Sequence, residues 1–368
     1  MKISCLRTDL ANAVSNVSRA VSTKATIPAL EGVLIKAYGE HLNISAYNLE
    51  IGITTDIDAT IQNEGEIVVS AKLFLDIVRK LPEEIVFIET DERMVTYITC
   101  GQVDYQIVGM SSVEYPDLPT FEQTDGITVN EKILRDMIRQ TVYAVSENTA
   151  KPIYTGSLFE IENGIFKIVA VDGYRMAIRS ENVDSESNTS FVVPGKTQQE
   201  VLKLLTEDEE NAEIIVGMRH ITFKVKNYRV ISRLIEGTFL DYKTTIPNEE
   251  KTEIVINTRK LINSVERMSL LNNDRIQSPV RCKFSDDEIK LSCASAVGRA
   301  NDVISVPIIG ESVEIGFNNR YLLDALKNTD TDEIKLVLNG ALAPMIVKPV
   351  KGDCFLSIVV PMRLSNEN

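Results

Sequence analysis

The 368-residue chain repeats itself at a spacing of 124, and that period constrains its fold more than any single motif does. "GVLIK" at 32–36 is answered by "GSLFE" at 156–160, and Pro28 by Pro152. "NLEIGITTDI" begins at Asn48, "DGYRMAIRSE" at Asp172 and "AVGRANDVIS" at Ala296. "YPDL" at 115 is echoed by "FLDY" at 239. The third copy starts three residues out of step, so that Leu10, Val14 and Val17 correspond to Leu261, Val265 and Met268, and Pro28 to Pro279. A shorter link before Val280 restores the register. Three copies consume nearly the whole chain, with joints expected near Thr124 and Glu249.

Each copy shows one coarse order. A strand leads into a helix whose apolar residues recur at helical spacing, as in Leu10, Val14, Val17 and Val21 or Leu134, Ile138, Thr141 and Val145. Short alternating strands follow, such as "HLNISAYN" and "GIFKIVAVD". A second strand-to-helix step starts at Val69, Val193 and Phe317. The expected fold is α+β: three tandem homologous domains, 1–124, 125–249 and 250–368, each made of two consecutive β-α-β-β-β units.

Composition narrows the chemistry. No run approaches the roughly 18 apolar residues of a membrane span, and "MKISCLRTDL" has no signal-peptide architecture, so a cytoplasmic protein is expected. The five cysteines are scattered without a C-x-x-C pair and read as small buried hydrophobes. His41 and His220 are the only histidines, and neither has a triad or ligand partner at useful spacing. No metal, cofactor or catalytic group is expected.

"PGKT" at 194–197 looks like the end of a nucleotide-binding loop, but Ser190 stands where that loop requires its first glycine. Lys196 instead belongs to a threefold pattern. Lys72, Lys196 and Arg320 are equivalent, as are Asp76, Glu200 and Asp324, and Arg79, Lys203 and Lys327. Positions i, i+4 and i+7 share a helix face, and the opposite face carries Phe74, Val78 and Leu81, or Leu202 and Leu205. The six expected helices (8–21, 71–81, 130–145, 195–205, 258–271 and 319–328) hold 14 Lys+Arg against 7 Asp+Glu. The rest of the chain holds 25 against 46, although the whole carries a net charge of −14. Charge segregated by element type points to a basic helix face that meets a polyanion, with an acidic exterior that repels it. These helices carry no aromatic stacking platform or base-reading pattern, so the expected contact is with a duplex backbone, without sequence preference. The candidate DNA contacts are Lys24, Lys72, Arg79, Arg139, Lys196, Lys203, Arg320 and Lys327.

With the triplication, "TIPALEGVLI", "VAVDGYRMA", "EIGFNNRYLLDAL" and the terminal "VVPMRL" make the whole chain resemble the bacterial DNA sliding clamp family, the beta subunits of DNA polymerase III. The resemblance implies a head-to-tail homodimer closed into a ring, with sheets outside and helices lining a hole for duplex DNA. It implies that Tyr105 and Ile107 of the first domain face Leu270 and Leu271 of the third. It also implies a pocket for a short linear motif carried by the replicative polymerase, clamp loader and repair proteins. Carried over, that pocket uses Tyr154, Val171, Gly173, Tyr174, Arg175 and Met176, joined by Leu240 and Thr244. The third domain would add Asn318, Tyr321, Leu342, Ile358, Val360, Met362, Arg363 and Leu364. Leu240 and Thr244 depart from residues common in relatives, and "SNEN" follows the usual terminal "PMRL". The implied function is that of a non-catalytic processivity factor. Against it stand an NTPase built on "GKT" and a repeat scaffold that binds proteins without enclosing DNA.

Overall fold

The computed structural model describes residues 1–22, 24–120, 126–272 and 278–364; the expected joint at Thr124 and the tail Ser365–Asn368 lie outside the described residues. Six β-α-β-β-β units follow one another. The first is β1 (Lys2–Leu6), α1 (Arg7–Val17), β2 (Gly32–Tyr38), β3 (His41–Tyr47) and β4 (Ile51–Asp58). After a short extra strand, β5 (Thr60–Asn63), come β6 (Gly65–Ser70), α2 (Ala71–Lys80), β7 (Ile85–Thr90), β8 (Val95–Cys100) and β9 (Val103–Val108). The third unit is β10 (Ile127–Asn130), α3 (Glu131–Val142), β11 (Gly156–Glu162), β12 (Ile165–Val171) and β13 (Arg175–Asn182). The fourth is β14 (Thr189–Pro194), α4 (Gly195–Leu202), β15 (Asn211–Val216), β16 (His220–Val225) and β17 (Tyr228–Arg233). The fifth is β18 (Thr252–Asn257), α5 (Thr258–Ser269), β19 (Val280–Ser285), β20 (Glu288–Ser295) and β21 (Gly298–Ser305). A second extra strand, β22 (Ile308–Gly310), precedes β23 (Val313–Phe317), α6 (Asn319–Lys327), β24 (Glu333–Leu338), β25 (Met345–Pro349) and β26 (Phe355–Val359).

The helices begin where strands end, and asparagines mark several of the starts. The side chains of Asn130, Asn257 and Asn318 accept hydrogen bonds from backbone N–H groups of the first helical turn, satisfying donors with no partner inside the helix. The periodic apolar residues turn inward as expected: Leu10, Val14 and Val17 on α1, and Leu261, Val265 and Met268 on α5, are all buried. Val21 and Val145 fall beyond their helices, because α1 tightens into a 3-10 turn at Ser18–Ala20 and α3 stops at Val142. On α2, Phe74 and Val78 are fully buried, while Lys72, Asp76 and Arg79 are exposed. The periodicity therefore identifies the right faces and overruns the ends.

Two compact units emerge. One comprises Met1–Arg135 with Lys196–Leu234, the other Asp136–Gly195 with the chain from Ile235 onward. The first unit holds a five-stranded sheet in the order β5-β1-β7-β8-β9 and an eight-stranded sheet in the order β10-β15-β16-β17-β4-β3-β2-β6. The larger sheet continues from one repeat into the next through antiparallel β17 and β4, with Val230 opposite Ile53. The second unit holds a nine-stranded sheet, β14-β11-β12-β13-β26-β25-β24-β18-β22, and a four-stranded one, β21-β20-β19-β23. Here β13 and β26 make the antiparallel joint, with Met176 opposite Ile358.

Each unit has its own apolar interior. In the second, α5 and α6 seal a cluster that includes Leu261, Val265, Phe284, Phe317 and Leu336. Cys5, Cys100, Cys282 and Cys293 are buried and free, as expected, whereas Cys354 is exposed just before β26. No described helix is long and apolar enough to cross a membrane.

Candidate functional site

The second unit contains a cleft of about 600 Å³, built around the turn between β12 and β13. Gly173 has φ +91°, and no atom lies within 4 Å of where a Cβ would sit, so the turn needs glycine for its backbone rather than for space. Asp172 holds the turn: its Oδ1 accepts from the N–H of Tyr174 at 2.8 Å and of Arg175 at 3.0 Å. The Arg175 side chain is only 6% exposed, and its Nε donates to Asp172 Oδ2 at 2.9 Å. A second guanidinium nitrogen pairs with Asp324 on α6. The same guanidinium lies 4.7 Å from the ring centre of Tyr321 and 5.4 Å from that of Tyr143. Burial works against the charge, but Asp324 and Asp172 outweigh it and raise the Arg175 pKa.

Two aromatic pairs shape the walls. Tyr174 stacks on Tyr321, with centroids 5.7 Å apart and planes at 18°. Tyr154 meets Phe239 edge-on at 5.6 Å. Beneath them the Tyr143 hydroxyl shares a 2.9 Å hydrogen bond with Ser357, and burial pushes its phenol pKa up. The mouth is polar, carrying Ser146, Glu147, Asn148, Lys151 and Arg320. A cleft with aromatic and aliphatic walls and a polar, charged mouth suits an extended peptide that offers apolar anchors.

Of the expected pocket residues, Tyr154, Val171, Gly173, Tyr174, Arg175, Leu240 and Tyr321 line this cleft. Met176 and Ile358 are 4% exposed and lie in the packed core below. Asn318 caps α6, Val360 donates its N–H to the Tyr174 carbonyl at 2.9 Å, and Thr244 closes a local turn onto Asp241. Leu342 stands 84% exposed. The Met362 N–H bonds the Gly316 carbonyl at 2.8 Å, and Leu364 packs over Gly316, where any Cβ would strike it. Arg363 is exposed. Sequence reasoning missed Asp172, Tyr143, Glu147 and Lys151. It also placed Asp324 on the basic helix face expected to meet a polyanion, where the structure turns it to Arg175. The Asp-Gly turn was the one available signal for Asp172.

The basic positions share a feature that their spacing did not reveal. Lys72, Lys132, Lys196, Arg259 and Arg320 are each the second residue of a helix, and Arg7 is the first of α1. A helix N-terminus carries partial positive charge, so a cation there gains nothing from the dipole. What such a cluster of positive charge attracts is an anion. Lys24, Lys72 and Lys196 make no ion pair among the described residues. Arg139 is held by Asp136 and Asp330, Lys203 by Glu200 at 2.7 Å, Arg320 by Glu147 at 3.2 Å and Lys327 by Glu266 at 2.6 Å. Arg79 donates to Ser15 at 2.8 Å. The "GKT" segment is not a phosphate loop: Thr197 is buried, sharing a 2.6 Å hydrogen bond with Ser232.

Strands β9 and β21 each end a sheet. On β9, Tyr105 is 39% exposed while Ile107 is buried within its own unit. Past α5, Leu270 is 83% exposed, and Leu271 packs partly on the core near Gly298.

Tandem repeats of paired β-α-β-β-β units, with sheets running on from one repeat to the next, define a clamp-type protein of three domains. The DNA polymerase III beta subunit family matches the chain in three parts: its N-terminal domain over 1–119, its central domain over 128–241 and its C-terminal domain over 243–363. The chain belongs to that family. The beta sliding clamp of Halalkalibacterium halodurans is 34% identical over 365 residues, covering 95% of this chain and 96% of that protein. The crystal structure of the DNA polymerase sliding clamp from Bacillus subtilis superposes with a TM-score of 0.96 at 31% identity, covering 99% of this chain and all of that one. A putative DNA polymerase III beta subunit from Eubacterium rectale gives 0.95 at 34% identity, with the same coverage.

Proposed function

We propose that two copies of the chain close head to tail into a ring that encircles duplex DNA and tethers the replicative polymerase to it. The protein is a processivity clamp, not an enzyme. The observation that carries the DNA reading is the basic residue at the first or second position of all six helices, in a chain of net charge −14. Weak exposed ion pairs such as Lys203–Glu200 exchange readily for phosphate, because each contributes well under about 1 kcal/mol.

Ring closure follows from a rule that the two internal joints obey. The last strand of a repeat's second unit (β17 or β26) pairs antiparallel with the last strand of the preceding repeat's first unit (β4 or β13). The same rule leaves β9 and β21 over, one in the first repeat and one in the third. A second copy supplies each with its match and removes two open edges. Tyr105 and Leu270 are the exposed residues placed to be covered, with Ile107 and Leu271 supporting them from the core side. The division at 1–124, 125–249 and 250–368 is part of this proposal, as is a cytoplasmic, nucleoid-associated location.

The cleft takes short linear motifs of the polymerase, clamp loader and repair proteins, with Tyr154, Val171, Leu240 and Tyr321 contacting apolar anchors. The scaffold alternative, protein binding without enclosure, is separated by one experiment. Loaded onto nicked circular DNA, the protein should be retained, and it should be lost when the circle is cut. Equal retention on circular and linear DNA rejects enclosure.

A further inference from the structure

We propose that Arg320 is shared between the cleft and the duplex, so that DNA alters which partner segments the cleft accepts. This rests on the clamp reading above. Arg320 is the second residue of α6, at the helix position that carries a cation in four other helices. Yet its side chain also forms part of the cleft mouth, where its Nη2 lies 3.2 Å from Oε1 of Glu147. Both partners are open to solvent, at 65% and 86% exposure, so the pair is weakly held. A phosphate can accept from a guanidinium through two hydrogen bonds and carries its charge on oxygens that fit that fork.

Glu147 belongs to the cleft rather than to the helix pattern. The equivalent cations Lys72 and Lys196 have no carboxylate partner among the described residues. With DNA absent, the mouth carries Arg320 and Lys151 against Glu147 and is net positive. Deeper in, the charge of Arg175 is already taken up by Asp172 and Asp324, so the mouth differs between the two states only through Arg320 and Glu147. Once Arg320 turns to phosphate, its charge is consumed and Glu147 is released, leaving Lys151 and Glu147 in balance. A partner segment with an acidic residue beside its apolar anchors is then favoured off DNA and loses that advantage on DNA. A segment with a basic residue there gains. By linkage, partner segments bias the DNA contact in return.

The test uses two labelled peptides with the same glutamine, leucine and phenylalanine anchors, one flanked by glutamate and one by lysine. Their affinities are measured on the free full-length protein and on protein loaded onto nicked circular DNA. Loading should move the affinity ratio about threefold toward the lysine peptide, the scale of one exposed ion pair. Glu147→Gln should remove the gain of the lysine peptide, Arg320→Gln should remove the shift, and Arg320→Lys should keep it. An unchanged ratio on protein that loads and binds both peptides overturns the shared-arginine proposal and leaves the clamp reading standing. Failure to stay on circular DNA overturns the clamp reading and this proposal with it.

Discussion

Arg175 shows how much a single position can carry. Its guanidinium is almost fully buried, yet two carboxylates and two aromatic rings surround it. Truncation leaves Asp172 and Asp324 beside each other without a counter-charge, and breaking a buried pair typically costs about 3–5 kcal/mol. Arg175→Ala should therefore lower the urea unfolding midpoint sharply, and adding Asp324→Asn should restore part of the loss. A double variant no better than the single one would show that the carboxylates are not what makes the truncation costly. Tyr115 is a quieter case in the first unit. Its buried hydroxyl accepts the Tyr47 N–H at 2.9 Å, and burial pushes its phenol from the ordinary 10 to about 12. The folded state thus prefers the neutral phenol. That contribution is complete below pH 10 and is lost as pH rises from 10 through 12. Tyr115→Phe should cost roughly 1–2 kcal/mol near neutrality. It should also flatten the alkaline fall in stability, measured as thermal midpoint against pH.

Among the elements, the helices separate stability from function most cleanly. A cation at the second helical position works against the dipole, so Lys72, Lys196 and Arg320 are not there to strengthen α2, α4 and α6. Replacing all three by glutamate should leave the melting temperature unchanged or slightly raised, since an acidic residue at a helix start typically adds about 0.3–1 kcal/mol. The same triple variant should load poorly onto circular DNA. Normal loading would remove the polyanion from the explanation of these charges. Lys72 and Asp76, one turn apart on α2, form no ion pair among the described residues, and the carboxylate partners that do occur come mostly from loops or neighbouring helices. The period of the sequence identified the exposed face but not the carboxylate each cation would meet.

At the scale of the whole molecule, β9 and β21 are the argument for assembly. Each ends a sheet, and Tyr105, Val108 and Leu270 stand exposed near those ends. A chain of 41.0 kDa should run in solution at twice that mass. Leu270→Asp together with Leu271→Asp should yield monomers, read by light scattering at micromolar concentration. Unchanged far-ultraviolet circular dichroism would separate loss of the interface from loss of the fold. Wild-type protein found as a monomer under those conditions would sink the ring.

The sequence by itself determined the triplication, the six-unit order, the buried helix faces and the basic positions, because each is a local periodicity that repeats. Even the sheet-building segments were legible, since alternation of period two survives in each copy. Only the tertiary structure decided which strands join one repeat to the next, and hence why the cleft differs from its repeat counterpart. Asn48, Leu49 and Glu50 are the counterparts of Asp172, Gly173 and Tyr174 at the 124-residue spacing. In the first unit, however, Tyr47, Tyr115 and Leu118 pack together with Leu30 and Val68. Leu118 presses so close to Gly52 that a Cβ there would lie 2.3 Å from it. In the second unit the counterpart of Gly52 is the buried Met176, and the counterpart of the buried Ile51 is Arg175, which reaches 149 residues along the chain to Asp324. Which partner a residue such as Arg175 meets depends on side chains brought together from distant segments, and no local pattern in the chain records that meeting.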